Sequence, residues 1–341
     1  LTALSILALV SCQSNDAYED LNRDPKNPTK VDASFLYNNA TKSLVDQMTS
    51  TNVNTNIFRM LGQHWTETTY VDEANYDFNT RNITNAHWSE MYRDVILDLS
   101  TAKTFGDIPY SQSLNPGTYV LPVYDDAATI YSDLLTRLNA AIPNLTNTGF
   151  GASDPIYAGN PASWKKFGNS LKLRMGIRIV DVPAMSAKAQ SAITTAVSGG
   201  VFTSNADNAV LKYESAAPNT NPVWVDLVQS GRSDFVIANT LVDFMNNLSD
   251  PRRSVYFDQN LGTGVYKGGP LADAAERSIS GTPVSAAGFY NKGITASFEQ
   301  WGATGVAAYL LNPNVAYATA PGTWKVKIGN QLWLAMYNRG F

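Results

Sequence analysis

Histidine, cysteine and charge are all scarce in this 341-residue chain, and each shortage excludes a class of chemistry. A single cysteine and two histidines, His64 and His87, exclude an internal disulfide framework and the usual Cys/His zinc cages. They leave room only for a hard cation such as calcium, held by Asp and backbone oxygens. Charged residues make up 16% of the chain and the net charge is −4, against a typical charged fraction of about 25%. With so few cations, phosphate-backbone neutralisation is not available, so nucleic acid is excluded as a partner. No Walker A pattern, His-Glu-x-x-His or Gly-x-Ser-x-Gly occurs, and the glycine cluster Gly262–Gly268 follows no convincing strand and opens no helix.

What is present is apolar material for a core, 44% of residues, and 11% aromatics among abundant Asn, Ser and Thr. Rings beside neutral hydrogen-bonding groups suit uncharged polar ligands: sugars offer apolar C–H faces and a rim of hydroxyls. Residues 1–12 form an uncharged apolar run, too short for a bilayer-spanning helix. The run ends in Leu9-Val10-Ser11-Cys12, which matches a bacterial lipobox and makes Cys12 the expected site of acylation. Several acyl chains on one residue suffice for stable anchoring. The expected organisation is a signal remnant over 1–11, a lipidated tether over 12–30 and one helical domain over 31–341.

Helical periodicity dominates the remainder. Apolar stripes predict helices from Phe35 to Met48 behind Asp32, from Trp88 to Leu99, from Ala127 to Leu138 and from Ala184 to Val197 before Gly199-Gly200. Others are expected over 235–248, 289–301 and 328–337, and after the Asn160-Pro161 start signal. Only Ala209–Tyr213 reads as a short strand. The fold class is therefore mainly all-α, a solenoid-like stack of helix pairs carrying a loop-rich lobe. Trp88, Trp164, Trp301 and Trp333 fall on helical faces and read as core, and His87 reads as structural.

The long loops carry the candidate ligand-binding residues. One stretch holds Trp65, Tyr70, Asn75, Tyr76 and Arg81 together with Asp72, Asp77 and Asn79. A second holds Asn219, Asn221 and Trp224, followed by Arg232 and Asp234. Trp65 and Tyr76 read equally as pins fastening their loop to the helical body, and Arg232 as a partner of Asp234. His64, in the first stretch, is the one candidate for a catalytic base.

Five blocks in order behind the lipobox resemble the SusD/RagB family of outer-membrane lipoproteins of Bacteroidetes. They are Leu21 to Thr29 (Leu-Asn-Arg-Asp-Pro-Lys-Asn-Pro-Thr), Phe105-Gly106-Asp107-Ile108-Pro109-Tyr110, Trp164 to Arg174, Asp250-Pro251-Arg252-Arg253 and Gly293 to Ser297. The resemblance implies tetratricopeptide-like helix pairs and a place on the outer face of the outer membrane. It implies partnership with a SusC-like TonB-dependent transporter, over which a tethered body would act as a lid. It also implies glycan capture without catalysis or cofactor; an oligopeptide-binding RagB-like role is the alternative, and a surface glycoside hydrolase or a scaffold ranks behind both. Ligand contacts vary between members, so no residue carries over as an invariant ligand. Relative to the family, the chain joins abruptly at 103/104 and 270/271 and stops at Phe341 before a Trp/Arg-rich segment, which suggests omitted segments.

Overall fold

The computed structural model describes residues 32–91, 106–147, 149–258, 261–269 and 287–337, apart from the single positions 55, 79, 114 and 116. Cys12, the Leu21–Thr29 block and the joins at 103/104 and 270/271 lie outside the described residues.

Capping chemistry sets the helix starts. Helix α1 (Ala33–Thr49) begins where the Asp32 carboxylate accepts from the Ser34 amide. A short helix α2 (Phe58–Leu61) leads into strand β1 (Trp65–Glu67). Helix α3 (Ile83–Glu90) starts five residues before the expected Trp88, because Asn82 caps it by accepting from the Asn85 amide; the remainder of the expected 88–99 stripe lies outside the described residues beyond Met91. Strands β2 (Ile108–Pro109) and β3 (Tyr124–Asp125) pair antiparallel. Helix α4 (Ala127–Asn144) takes Asp126 as its cap, accepting from the Thr129 amide, whereas Asp125 turns back to accept from the amides of Tyr110 and Ser111. Helix α5 (Pro161–Ile179) has the Asn160 cap and first-turn proline that its sequence announces. Helix α6 (Ser186–Ser198) ends at Gly199, followed by Gly200 at φ +88°.

Helices α4, α5 and α6 form the clearest helix-pair stack. Tyr131, Leu135, Met175, Ile179, Met185, Ala189 and Ala192 are buried between them. The α5–α6 approach is close enough that a Cβ on Gly176 would lie 2.9 Å from Ile193 Cγ1 and 3.1 Å from the Ala189 carbonyl oxygen.

The second half is less regular. Helix α7 (Pro222–Trp224) continues as a π-turn over Val225–Gln229. Residues 235–237 correct the expected helix: they form strand β4 (Phe235–Ile237), antiparallel to β1 with Glu67 opposite Phe235 and Trp65 opposite Ile237. The branched side chains of Val236 and Ile237 suit the strand, and extended Ala238 delays helix α8 until Asn239–Asn247. Residues 209–213, expected as a strand, adopt no regular structure; Tyr213 instead donates to Asp46 on α1 at 2.8 Å. Helices α9 (Arg253–Tyr256), α10 (Ala287–Trp301), α11 (Val306–Leu311) and α12 (Trp324–Ala335) complete the chain. Thr323 caps α12 and starts it four residues ahead of the expected Ile328.

These elements share a core of Met60, Trp65, Leu241, Met245, Tyr256, Ile294, Phe298, Tyr309, Leu334 and Tyr337. Trp301 and Trp333 pack against it, as expected. Trp164 is half-buried, its indole N–H donating to Asp154 at 2.6 Å, and half-buried Trp88 packs beside Ile108 and Ile130. His87 is buried, its ring nitrogen 2.9 Å from Gln47 Nε2.

A fully buried ion pair lies at the centre. Arg252 donates to Asp250 through Nε at 3.0 Å and Nη2 at 2.6 Å. The same guanidinium reaches Ser297 on α10 at 3.0 Å, Tyr309 on α11 at 3.3 Å and Gln331 on α12 at 3.3 Å, and it lies 4.8 Å from the Phe298 ring centroid. Removing one partner of such a pair strands the other charge in the interior. Arg252→Ala is therefore expected to destabilise by about 3–5 kcal/mol, measured by urea denaturation, and to lower expression; a loss below about 1 kcal/mol would contradict the arrangement.

Candidate functional site

Strand β1 ends where the helical body meets the loop over 68–82, and the loop is held there by backbone bonds. The Thr68 amide donates to the Asp234 carbonyl at 2.9 Å. Asp77 N–H bonds the Asp72 carbonyl at 2.8 Å, and the Thr80 hydroxyl donates to the Asp72 carboxylate at 2.9 Å. Tyr70 and Tyr76 both lie in the left-handed region, at φ +58° and +59°. That conformation is costly for a side chain this size and is kept where surroundings over-determine it, commonly at ligand sites.

At this point a cleft of about 610 Å³ opens, lined by Asn52, Asn54, Glu67, Tyr70, Arg81, Arg232 and Asp234 among others. Tyr70 is 73% exposed and offers a free ring face. Arg232 is fixed by a two-pronged contact to Asp234, Nε at 2.7 Å and Nη2 at 2.6 Å, with its guanidinium 4.5 Å from the Phe235 ring centroid. That hydrogen bonding raises the Arg232 pKa and lowers that of Asp234. Arg81 faces the buried Glu73 at 3.3 Å. Asn52 and Asn54 form an Asx turn after α1, the Asn54 amide donating to the Asn52 side chain at 3.0 Å. An exposed ring, two side-chain amides, a two-pronged Arg232–Asp234 pair and the Arg81–Glu73 ion pair are the kinds of groups that meet a ligand rich in hydroxyls.

Fully buried Glu73 accepts no hydrogen bond although Arg81 lies beside it, and Glu67 likewise accepts none. Glu67 is 4% exposed, lines the cleft, and neither carboxylate oxygen accepts a hydrogen bond. Burial pushes its pKa up to about 7, helped by the neighbouring Glu73 and Asp234 and opposed by Arg81 and Arg232.

Of the residues singled out from sequence, Tyr70, Arg81 and Arg232 come together here. Trp65 does not: it is 4% exposed, packed in the core with Phe235 at 5.7 Å between ring centroids and the Arg59 guanidinium 5.0 Å from its ring. Its place in β1 turns it inward, so of the two readings left open the packing one holds. Tyr76 fastens the loop, its hydroxyl accepting from Gln63 Nε2 at 3.0 Å and donating to the Leu61 carbonyl at 3.3 Å. Asn75 is exposed in the turn, its amide bonded to the Val71 carbonyl at 2.9 Å. Trp224 is 43% exposed and does not line the cleft. His64 is no surface base: it is 1% exposed, stacked on Trp333 at 5.0 Å and bonded to the Trp333 carbonyl at 3.0 Å, and burial lowers its pKa to about 4. Sequence reasoning passed over Glu67, Asn52 and Asn54; the Asn-x-Asn turn after a helix end is a local signal that points to the last two.

A larger cavity of about 740 Å³ lies on the other side of β4, walled by Trp65, Phe235, Tyr256, Phe257, Tyr266 and Tyr337. Its wall includes Asp258 and Gly269, each next to residues outside the described set. Among the described residues no group of three or more His, Cys, Asp or Glu side chains could hold a metal ion, and no helix is long and apolar enough to cross a membrane.

A buried base with a depressed pKa is charged in the unfolded chain before it is charged in the folded one. Its contribution to stability is thus lost as pH falls from about 6.5 through about 4. Thermal melts of His64→Gln are expected to show a shallower loss of stability over that window than the parent; parallel curves would contradict a neutral, buried His64.

A family model described as SusD-like, starch-binding and associating with the outer membrane matches residues 25–104, 99–282 and 270–341. The matched segments overlap over 99–104 and 270–282. No curated protein matches the chain by sequence. Among solved structures, a SusD homologue from Bacteroides uniformis superposes with TM-score 0.65 at 23% identity, covering 91% of this chain and 85% of its own. A SusD-like protein from Bacteroides thetaiotaomicron gives 0.66 at 21%, covering 90% and 84%. A chitin-binding SusD homologue from Flavobacterium johnsoniae gives 0.66 at 21%, covering 90% and 83%. The helical, tetratricopeptide-like architecture is common to them. With the family model spanning nearly all of the sequence, the chain belongs to the SusD-like family of outer-membrane-associated binding proteins.

Proposed function

We propose that this protein captures glycans at the cell surface and passes them to a SusC-like TonB-dependent transporter, and that the Tyr70–Arg81–Arg232 cleft holds the glycan. The observation that carries this reading is the exposed Tyr70 ring on a strained backbone between two guanidinium–carboxylate pairs. A sugar ring stacks on the tyrosine while its hydroxyls meet the fixed donors and acceptors beside it. The starch-binding description of the family and the chitin-binding relative support a glycan over a peptide. Acylation of Cys12 would anchor the chain to the outer membrane, and the tether over 12–30 would let the helical body swing as a lid above the barrel. The reading needs no catalytic residue and no cofactor, and with His64 buried the hydrolase alternative has no candidate base on a histidine. The division of the family match into three segments, one ending at 104 and another starting at 270, supports the view that segments are omitted at 103/104 and 270/271.

Calorimetry against panels of neutral oligosaccharides and oligopeptides tests the ligand class. Tyr70→Ala and Arg232→Ala are each expected to weaken glycan binding about tenfold or more, equivalent to about 1.4 kcal/mol. Trp224→Ala is expected to leave it within about twofold, since the side chain lies outside the cleft. Peptide binding without glycan binding would move the protein to the RagB-like role, and unchanged affinity in both cleft variants would refute the site.

A further inference from the structure

The cleft contains one more acid than it has bases to match. Asp234 is paired with Arg232 and Glu73 with Arg81. Glu67, like Glu73, accepts no hydrogen bond on either carboxylate oxygen, and unlike Glu73 it has no guanidinium within ion-pair distance among the described residues. A buried carboxylate costs free energy unless a partner of opposite charge is near. Among the described residues, the two arginines facing Glu67 are each engaged by another acid, Arg232 by Asp234 and Arg81 by Glu73.

We infer that the cleft prefers glycans carrying a free ammonium group, such as glucosamine units, with Glu67 as the counter-charge. The inference rests on the cleft being the glycan site. Direct contact is not required. The oxygens of Glu67 are shut off from water, and in such surroundings a charge acts across several ångströms with little screening. Neutral sugars still find Tyr70, Arg81 and Arg232; the ammonium adds the one charge that balances three carboxylates against two guanidiniums. The same geometry disfavours acidic sugars, which would add a fourth negative charge.

The test compares a glucosamine tetramer with its fully N-acetylated counterpart by calorimetry at pH 7, on the wild-type protein and on Glu67→Gln. In wild type the amine form is expected to bind about tenfold more tightly. In Glu67→Gln the ratio of the two affinities is expected to fall to about one. A second readout needs no variant to discriminate amine from acetyl ligand. With its pKa near 7, Glu67 is about half protonated at pH 7, so an arriving cation displaces up to about half a proton. Titrations in buffers of different ionisation enthalpy read that release, and subtracting the Glu67→Gln value removes the ligand's own protonation. Equal affinity for the two tetramers in wild type, or a preference that survives in Glu67→Gln, overturns the inference. So does tighter binding of a lysine tetrapeptide than of the glucosamine tetramer, which would make the ligand a peptide amine. If neither sugar responds to Tyr70→Ala, the cleft itself is misassigned; if both respond but Glu67 is silent, only the amine preference fails.

Discussion

Three helices and a turn converge on one guanidinium. Arg252 is sealed from solvent, paired with Asp250 two residues away, and bonded to Ser297, Tyr309 and Gln331 on three later elements. Each bond alone is modest. Together they leave the buried charge a single satisfactory arrangement, because any element that moves away strands a polar group in the core. The constraint reaches the binding face through α12. Gln331 belongs to the buried network, while two residues on the Trp333 indole donates to the Gly62 carbonyl at 2.5 Å and its own carbonyl meets His64. Gly62 and His64 immediately precede β1, so the strand that ends at Glu67 inherits the position of the central pair.

The proposed binding face lies where the β1–β4 pair ends. Strands β1 and β4 form only a three-residue ladder, yet it brings Glu67 next to the turn that carries Arg232 and Asp234, more than 160 residues along the chain. Arg59 is buried, with no carboxylate partner among the described residues, and donates to the Ser50 and Thr49 carbonyls at the end of α1, at 2.7 and 2.9 Å. A cation at a helix C-terminus is favourably placed against the macrodipole, and here it also fixes the start of the Asn52–Asn54 turn. Among the described residues, the buried carboxylates that accept no hydrogen bond are Glu67, which lines the cleft, and Glu73, which is paired with Arg81 of the cleft wall. Uneven satisfaction of this kind is expected where a ligand completes the set.

Much of the helical frame is legible in the sequence because its determinants are local. Asp32, Asn160 and Gly199 announce helix ends by chemistry that needs no distant partner, and the stripe from Ala127 to Leu138 announces a buried face. The strand at 235–237 is not legible. Phe235, Ala238, Leu241 and Val242 satisfy a helical period, and only pairing with 65–67 makes the first three residues extended. The same non-local pairing explains the mixed outcome at the site. Tyr70, Arg81 and Arg232 stand out as an aromatic and two cations in irregular stretches, so composition finds them. Trp65 stands in the same stretch, and nothing local shows that β1 turns it into the core. Glu67 is invisible for the converse reason: its importance lies in the absence of a partner, which only the folded chain reveals. The Asp250-Pro251-Arg252-Arg253 block, conspicuous as a family resemblance, proves to be the architectural pair.

The central claim is that a glycan lies against Tyr70 at the end of the β1–β4 pair. A crystal structure with a bound neutral oligosaccharide tests it most directly. The account predicts a pyranose ring stacked on Tyr70, with hydroxyls within hydrogen-bond reach of Arg81, Arg232 or the Asn52–Asn54 turn. Sugar density confined to the aromatic cavity beside Tyr256 and Tyr266, with the Tyr70 cleft empty, would contradict it.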